Sequence, residues 1–206
     1  MILVGIDFTD NGFTHEEEHS AAMSILKDIL KSCGDFSIPE GYAKTPEGKP
    51  YFENCPITFS LSHTDRCVAC AVSVPNEDVL DGEVFELEDI ITECGICRID
   101  CTFPCELGID VELIDRERSH DRMEAISKRY FSAAECAKLS AATDKALEFY
   151  RIWTAKESYV KCTGAGMKAI AATDTENITD GYRINRFILK NRTTEYSASV
   201  CVKPIK

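Results

Sequence analysis

CELGIDVELID, running from Cys105 to Asp115, repeats the Gly-Ile-Asp found in MILVGIDFTD, Met1 to Asp10, at an offset of 103 residues, half of the 206-residue chain. Both copies follow an apolar lead-in and read as strands. Each precedes a stretch of helical character. The first is His15 to Lys31, with Thr14 as its cap and Glu16 to Glu18 in its first turn; the second is Ser119 to Tyr130. Each half also closes on strand-like sequence, Ile57 to Val74 and Tyr182 to Val202. The pattern predicts an α+β fold of two similar half-domains, residues 1–104 and 105–206. The closing strands do not keep the 103-residue offset, which marks Asn76 to Phe103 as an insert.

The two copies differ where chemistry is sensitive. Residues two apart on a strand share a face, so Asp110 and Glu112 project together, whereas Asp7 has only Thr9 beside it. Two adjacent carboxylates repel unless a cation or a proton relieves them. A hard divalent ion such as magnesium takes a few carboxylates and leaves positions for water and phosphate. Taken alone, Asp-x-Glu is more often the mark of a solvated strand face.

The segment FYRIWTAKESYVK, Phe149 to Lys161, lacks Gly and Pro and predicts a helix ended by Gly164 and Gly166. Trp153, Glu157 and Lys161 recur every four residues and form one stripe. Beside a metal-bound phosphate, Glu157 would supply a third ligand or a base and Lys161 a charge clamp; otherwise the two are a surface ion pair. In the first half, Gly48-Lys49-Pro50 is a turn that presents a lysine. Ser62 and His63, at the end of the strand-like run Phe59 to Thr64, offer hydroxyl and imidazole donors suited to phosphate.

Bulk properties restrict the classes. The formal charge of −12 argues against general nucleic-acid binding, which needs a basic face. Asn76 to Glu93 alone carries eight Asp or Glu and no Lys or Arg. No apolar run approaches the roughly 18 residues of a membrane span, and Met1 to Phe8 reads as a strand rather than as a signal peptide. Eleven cysteines would suggest disulfides in a secreted chain, but the length and the absence of a signal-like start lead to the expectation of a cytoplasmic protein with free thiols. Cys94, Cys97, Cys101 and Cys105 have spacings compatible with zinc or an iron–sulfur cluster, but Cys97, Ile99, Cys101 and Phe103 also alternate as one face of a strand. Cys67 and Cys70 read as strand packing.

Five motifs in order, Gly48-Lys49-Pro50, Leu61-Ser62-His63, Gly108-Ile109-Asp110-Val111-Glu112, Phe131-Ser132-x-x-Glu135 and Trp153-x-x-Lys156-Glu157-x-x-x-Lys161, resemble the surfactin-synthetase-activating (Sfp-type) class of 4'-phosphopantetheinyl transferases. The likeness runs from about Tyr42 to Met167, and the length resembles the pseudo-dimeric class, which implies a pseudo-dimer of the two half-domains with the active site at their interface. The resemblance implies transfer of the phosphopantetheine arm of coenzyme A to a serine of an apo acyl or peptidyl carrier protein, by a monomer. It implies magnesium on Asp110, Glu112 and Glu157, with Glu157 also the base and Lys161 neutralising phosphate charge. Lys49, Ser62 and His63 would meet the nucleotide end, and Glu135 would support the site. The family commonly holds the 3'-phosphate with a basic N-terminal segment, whereas Met1 to Glu18 presents the acidic run Glu16 to Glu18. Hydrolysis of a nucleotide pyrophosphate at the same three carboxylates, and a non-enzymatic carrier-binding or metal-sensing module built on the cysteines, are the competing readings.

Overall fold

The continuous apolar run from Ile2 to Ile6 suits a strand buried on both faces, Ile2–Phe8 (β1), and its register places it between two antiparallel neighbours, Cys67–Ser73 (β5) and Gly95–Ile99 (β8). The computed structural model describes residues 1–9, 14–33, 41–75, 84–86, 90–91 and 95–205. Phe59–Thr64 (β4) closes one edge of this sheet and Val84–Glu86 (β6) the other, in the order β4-β5-β1-β8-β6. Helix α1, His15–Ser32, covers one face. Thr14 and Glu17 form the reciprocal capping box that fixes its start. Its Leu26, Ile29 and Leu30 pack with Leu3, Cys70 and Val72 of the sheet. A short hairpin, Ala43–Lys44 (β2) with Pro50–Tyr51 (β3), turns through Gly48 at φ 93° and carries Lys49.

The second sheet has the order β7-β10-β11-β9, formed by Ile90–Ile91 (β7), Cys105–Leu113 (β9), Arg183–Asn191 (β10) and Thr194–Pro204 (β11). The segment following Val74 therefore contributes to both sheets: β6 and β8 extend the first, while β7 pairs in parallel with β10 of the second. Inner faces of the two sheets share one core, in which Val4, Ala69, Leu107, Ile109, Phe187 and Val200 are buried together. Three helices follow β9: α2 (His120–Tyr130), α3 (Ala133–Ala141) and α4 (Lys145–Thr163), the last capped by Gly164 in the left-handed conformation. A 3-10 turn, Met167–Ala172, leads on to β10.

The repeated glycine has a physical reason in each half. A Cβ at Gly5 would lie 2.3 Å from Ile25 Cγ2 of α1, and one at Gly108 would lie 2.2 Å from the Ser158 carbonyl oxygen of α4. Both strands are thus crossed by a helix at contact distance: at Gly108 helix backbone leaves room for no side chain, while at Gly5 the side chain of Ile25 would have to shift. The helix on β9 is α4, not the nearer α2 that the spacing suggested as counterpart of α1. Helix α2 instead joins a small cluster in which Met123 packs with Ile114, Phe149 and Tyr150.

The cysteine-rich stretch departs from one of its sequence readings. Strand β8 ends at Ile99, with Cys97 and Ile99 in the core, and Cys101 follows it outside the strand. Cys105 is buried and donates toward Ser73 Oγ. Cys94 lies outside the described residues. Among the described residues Cys97, Cys101 and Cys105 form no group spaced to hold a metal. No described helix is long and apolar enough to cross a membrane.

Candidate active site

Strands β4 and β9 are the facing edges of the two sheets, and between them hydroxyl groups replace backbone pairing. Thr58 Oγ1 donates to the Cys105 carbonyl at 2.6 Å. Ser60 Oγ accepts from the Ile109 N–H at 3.1 Å and Ser62 Oγ from the Val111 N–H at 3.2 Å. The side chains of Thr58, Ser60 and Ser62, two residues apart, meet edge groups of Cys105, Ile109 and Val111 on β9 that would otherwise be unsatisfied away from water. This seam ends at Asp110.

Asp110 is 2% exposed. Its Oδ1 accepts from Ser62 Oγ at 3.0 Å and from Lys161 Nζ at 2.7 Å, while its Oδ2 is buried and receives no hydrogen bond. Glu112, two residues on, and Glu157, from α4, complete a group in which one ligand atom of each residue lies within 4.8 Å of the others. Close approach of α4 over Gly108 brings Glu157 and Lys161 to the strand, so a helix 45 residues downstream of β9 by sequence order (Glu112 to Glu157) shares its site.

The electrostatics are those of crowded carboxyls. Burial, then the Asp110 charge, push Glu112 up to about 7 against the lowering effects of Lys161, Arg118 and a hydrogen bond from Trp153. Glu157 is pushed up to about 8 by burial and by Asp110, with Lys161 opposing and Glu112 adding to the rise. Three crowded carboxyls, one with a buried oxygen that accepts no hydrogen bond, suit a hard cation with oxygen preference, which would relieve their repulsion. The donor set therefore fits a magnesium-type ion. Trp153, Glu157 and Lys161 all act on this group, as the four-residue stripe suggested.

Beside the cluster lies a cleft of about 200 Å³ bordered by Lys49, Pro50 and Leu61 from the first half and by Lys161, Gly164 and Met167 from the second. The Lys49 ammonium donates to the Cys162 carbonyl near the C-terminal end of α4. His63 Nδ1 lies 2.9 Å from a Glu18 carboxylate oxygen, so α1 places an acid where the imidazole was expected to meet phosphate. Asp7 is exposed, its Oδ1 accepts the Phe8 N–H, and it has no second carboxylate beside it in a metal-holding group among the described residues.

Residues 106–203 match the family model of the 4'-phosphopantetheinyl transferase superfamily. The matched segment begins on β9 and ends on β11, and contains the three carboxylates, Lys161 and α4. Two curated relatives carry the same description. The chain is 27% identical to 4'-phosphopantetheinyl transferase HetI of Nostoc sp., over 79% of this chain and 60% of that protein. It is 28% identical to 4'-phosphopantetheinyl transferase AcpT of Salmonella typhimurium, over 63% of this chain and 52% of that protein. The chain thus spans between half and two thirds of the length of these transferases.

Two residues of the transferase-like motifs have their bonding capacity already filled. Ser62 gives its one proton to Asp110 and accepts from Val111 N–H and Lys161 Nζ, which uses the capacity of a hydroxyl. Its hydroxyl is engaged within the carboxylate cluster. Glu135 is fully buried. Its Oε1 accepts from Thr175 N–H and Oγ1, and its Oε2 from Ser132 N–H and from Lys156 Nζ at 2.8 Å. Four donors fill the lone pairs of one carboxylate, so Glu135 ties α3 and α4 to the Thr175 loop rather than facing a cation. Sequence reasoning missed Thr58 and Ser60, whose period-two hydroxyls were the available signal.

Proposed function

We propose that this protein is a magnesium-dependent 4'-phosphopantetheinyl transferase of the surfactin-synthetase-activating class, acting as a monomeric pseudo-dimer of residues 1–104 and 105–206 in the cytoplasm. The single observation that carries the reading is the buried, donor-less oxygen of Asp110 grouped with Glu112 and Glu157 beside the Lys161 ammonium. The match of residues 106–203 and the names of the two relatives supply the reaction. Glycine under a helix in both halves supports the duplicated unit, and the solitary, exposed Asp7 supports one working site.

In this reading Asp110, Glu112 and Glu157 hold the cation, which supplies charge neutralisation for the coenzyme A pyrophosphate when bound. Lys161, at the mouth between seam and cleft, takes the charge that grows on the transferred and leaving phosphates. The carrier serine oxygen attacks the β-phosphorus of coenzyme A. The bond from that phosphorus to the bridging oxygen breaks, and adenosine 3',5'-bisphosphate leaves with the electron pair. Glu157 accepts the serine proton, directly or through water. A cation held by the three carboxylates would favour the ionised form of Glu157, whose proton affinity burial and Asp110 otherwise raise. Lys49 and His63 serve the nucleotide end of coenzyme A, with Lys49 reaching into the cleft from the β2–β3 hairpin. Ser62, first expected there, acts from within the cluster.

The test is intact-mass analysis of apo acyl and peptidyl carrier proteins incubated with this protein, coenzyme A and magnesium. The expected result is a gain of one phosphopantetheine on the carrier, with adenosine 3',5'-bisphosphate as co-product. Pyrophosphate cleavage of coenzyme A without any carrier would sink the proposal in favour of a hydrolase.

A further inference from the structure

The edge strands β4 and β9 meet through hydroxyls, and only one rung of that seam touches the carboxylate cluster. Ser60 and Ser62 are both 5% exposed, and each accepts one backbone N–H of β9. They differ in what else they reach. Ser62 alone also donates to Asp110 Oδ1 and accepts from Lys161 Nζ, closing a three-membered ring with the 2.7 Å ion pair between those residues. The ring belongs to all three elements that build the site: β4, β9 and α4.

We propose that Ser62 is a positioning residue for cation binding. It anchors Asp110 Oδ1 to the seam so that Oδ2, left without a donor, is held in the direction of Glu112 and Glu157. The inference rests on the transferase reading only for the presence of a divalent ion at these carboxylates. The physical argument is rotational. A carboxylate with both oxygens free turns about its last torsion, whereas one with Oδ1 fixed by two donors presents Oδ2 in a single orientation. Groups that orient a ligand in this way typically change metal affinity by about 10- to 100-fold when removed. Because the Val111 N–H fixes Ser62 in turn, relative motion of the two sheets is transmitted to Asp110 through one oxygen atom.

Mn²⁺ binding to the metal-stripped full chain, followed by electron paramagnetic resonance without coenzyme A, tests this directly. Ser62→Ala is compared with Ser60→Ala, which removes the neighbouring rung and leaves the Asp110 ring intact. Thermal denaturation of both establishes that each is folded. The expected result is a loss of Mn²⁺ affinity of about 10- to 100-fold in Ser62→Ala, with Ser60→Ala within about twofold of the parent. Equal losses in both variants would make the effect one of seam stability and overturn the assignment. Unchanged Mn²⁺ affinity in Ser62→Ala, with a raised KM for coenzyme A, would overturn it in favour of direct substrate contact. A parent protein that binds no Mn²⁺ would overturn the cation site and this inference together, and only that outcome reaches the function itself.

Discussion

Gly108 on β9 lies so close beneath Ser158 of α4 that a methyl group at the glycine would stand 2.2 Å from the Ser158 carbonyl oxygen and 2.3 Å from the Cys162 nitrogen. Both obstructing atoms are helix backbone, which cannot rotate away. Gly108→Ala must therefore push α4 off the sheet and withdraw Glu157 and Lys161 from Asp110. A loss of about 3 kcal/mol or more is expected in chemical denaturation, at or above the upper end of overpacking costs. At Gly5 the closest atoms are side-chain atoms of Ile25 and Ile29. Gly5→Ala is expected to cost about 1–2 kcal/mol, in the milder part of that range, and to leave divalent-ion binding unchanged.

Glu112 contributes repulsion to the metal-free protein, since burial and the Asp110 charge raise it to about 7. Glu112→Gln removes that charge and keeps the shape. The metal-free variant should be more stable than the parent at pH 8 by about 1–3 kcal/mol, from roughly 1.4 kcal/mol per pH unit, while its magnesium-dependent turnover is lost. Asp110→Ala should not share the stabilisation, because it strands Lys161 and Ser62 without their acceptor. Equal stability changes in the two variants would contradict the ring geometry.

The same carboxyls set a pH dependence with a definite sign. Glu112 and Glu157 have folded values of about 7 and about 8, above the 4.5 of an unperturbed glutamate, so folding favours their protonated forms. Their contribution is fully present below about pH 4.5 and is lost as pH rises through 7 to 8. In the presence of a chelator the melting temperature should therefore rise as pH is lowered from 8 to 5.5. Saturating magnesium should flatten this slope, stabilising most at the alkaline end where the carboxylates are ionised. A chelated protein that loses stability steadily over that interval would show that the carboxyls are not crowded as described.

Much of this was legible because it is local. The period of four in Trp153, Glu157 and Lys161, the period of two in Asp110 and Glu112, and the Thr14 cap are consequences of chain geometry that need no partner. The seam was not legible. Thr58, Ser60 and Ser62 alternate visibly, but their acceptors and donors lie 47 to 49 residues away on another strand. Likewise the Phe131 to Glu135 motif located a buried acid without revealing its partners, because Thr175 stands 40 residues downstream. The Glu18 contact to His63 depends on the placement of α1 against β4, which no periodicity encodes.

Glu135 and Lys156 form a fully buried ion pair at 2.8 Å, and both oxygens of the acid are saturated. Removing either partner strands a charge in the interior. Glu135→Ala and Lys156→Ala should each cost about 3–5 kcal/mol. Mn²⁺ affinity of the remaining folded protein should stay near that of the parent, since neither group faces the three carboxylates. A variant of normal stability with weakened ion binding would return Glu135 to the site.

In the proposed transfer, Glu157 is the residue on which the chemical step turns. If it only paired with Lys161 at a surface, Glu157→Gln would alter turnover by a small factor, because exposed ion pairs contribute about 0–1 kcal/mol. Its surroundings are different: it is crowded against Asp110 and Glu112, and its proton affinity is raised by burial to about 8. A glutamine there keeps the volume but takes up no proton and offers a weaker ligand oxygen. Single-turnover transfer to a saturating apo carrier should slow by about 10² or more, the usual range for a general base. Raising magnesium should restore any part of the loss that comes from ion binding, and the part that remains at saturation measures proton transfer. Glu135 cannot stand in, with its four acceptor positions filled. Near-normal turnover in Glu157→Gln at saturating magnesium would therefore pass the role of base to Glu112 or to a cation-bound water, and would leave Glu157 as a ligand alone.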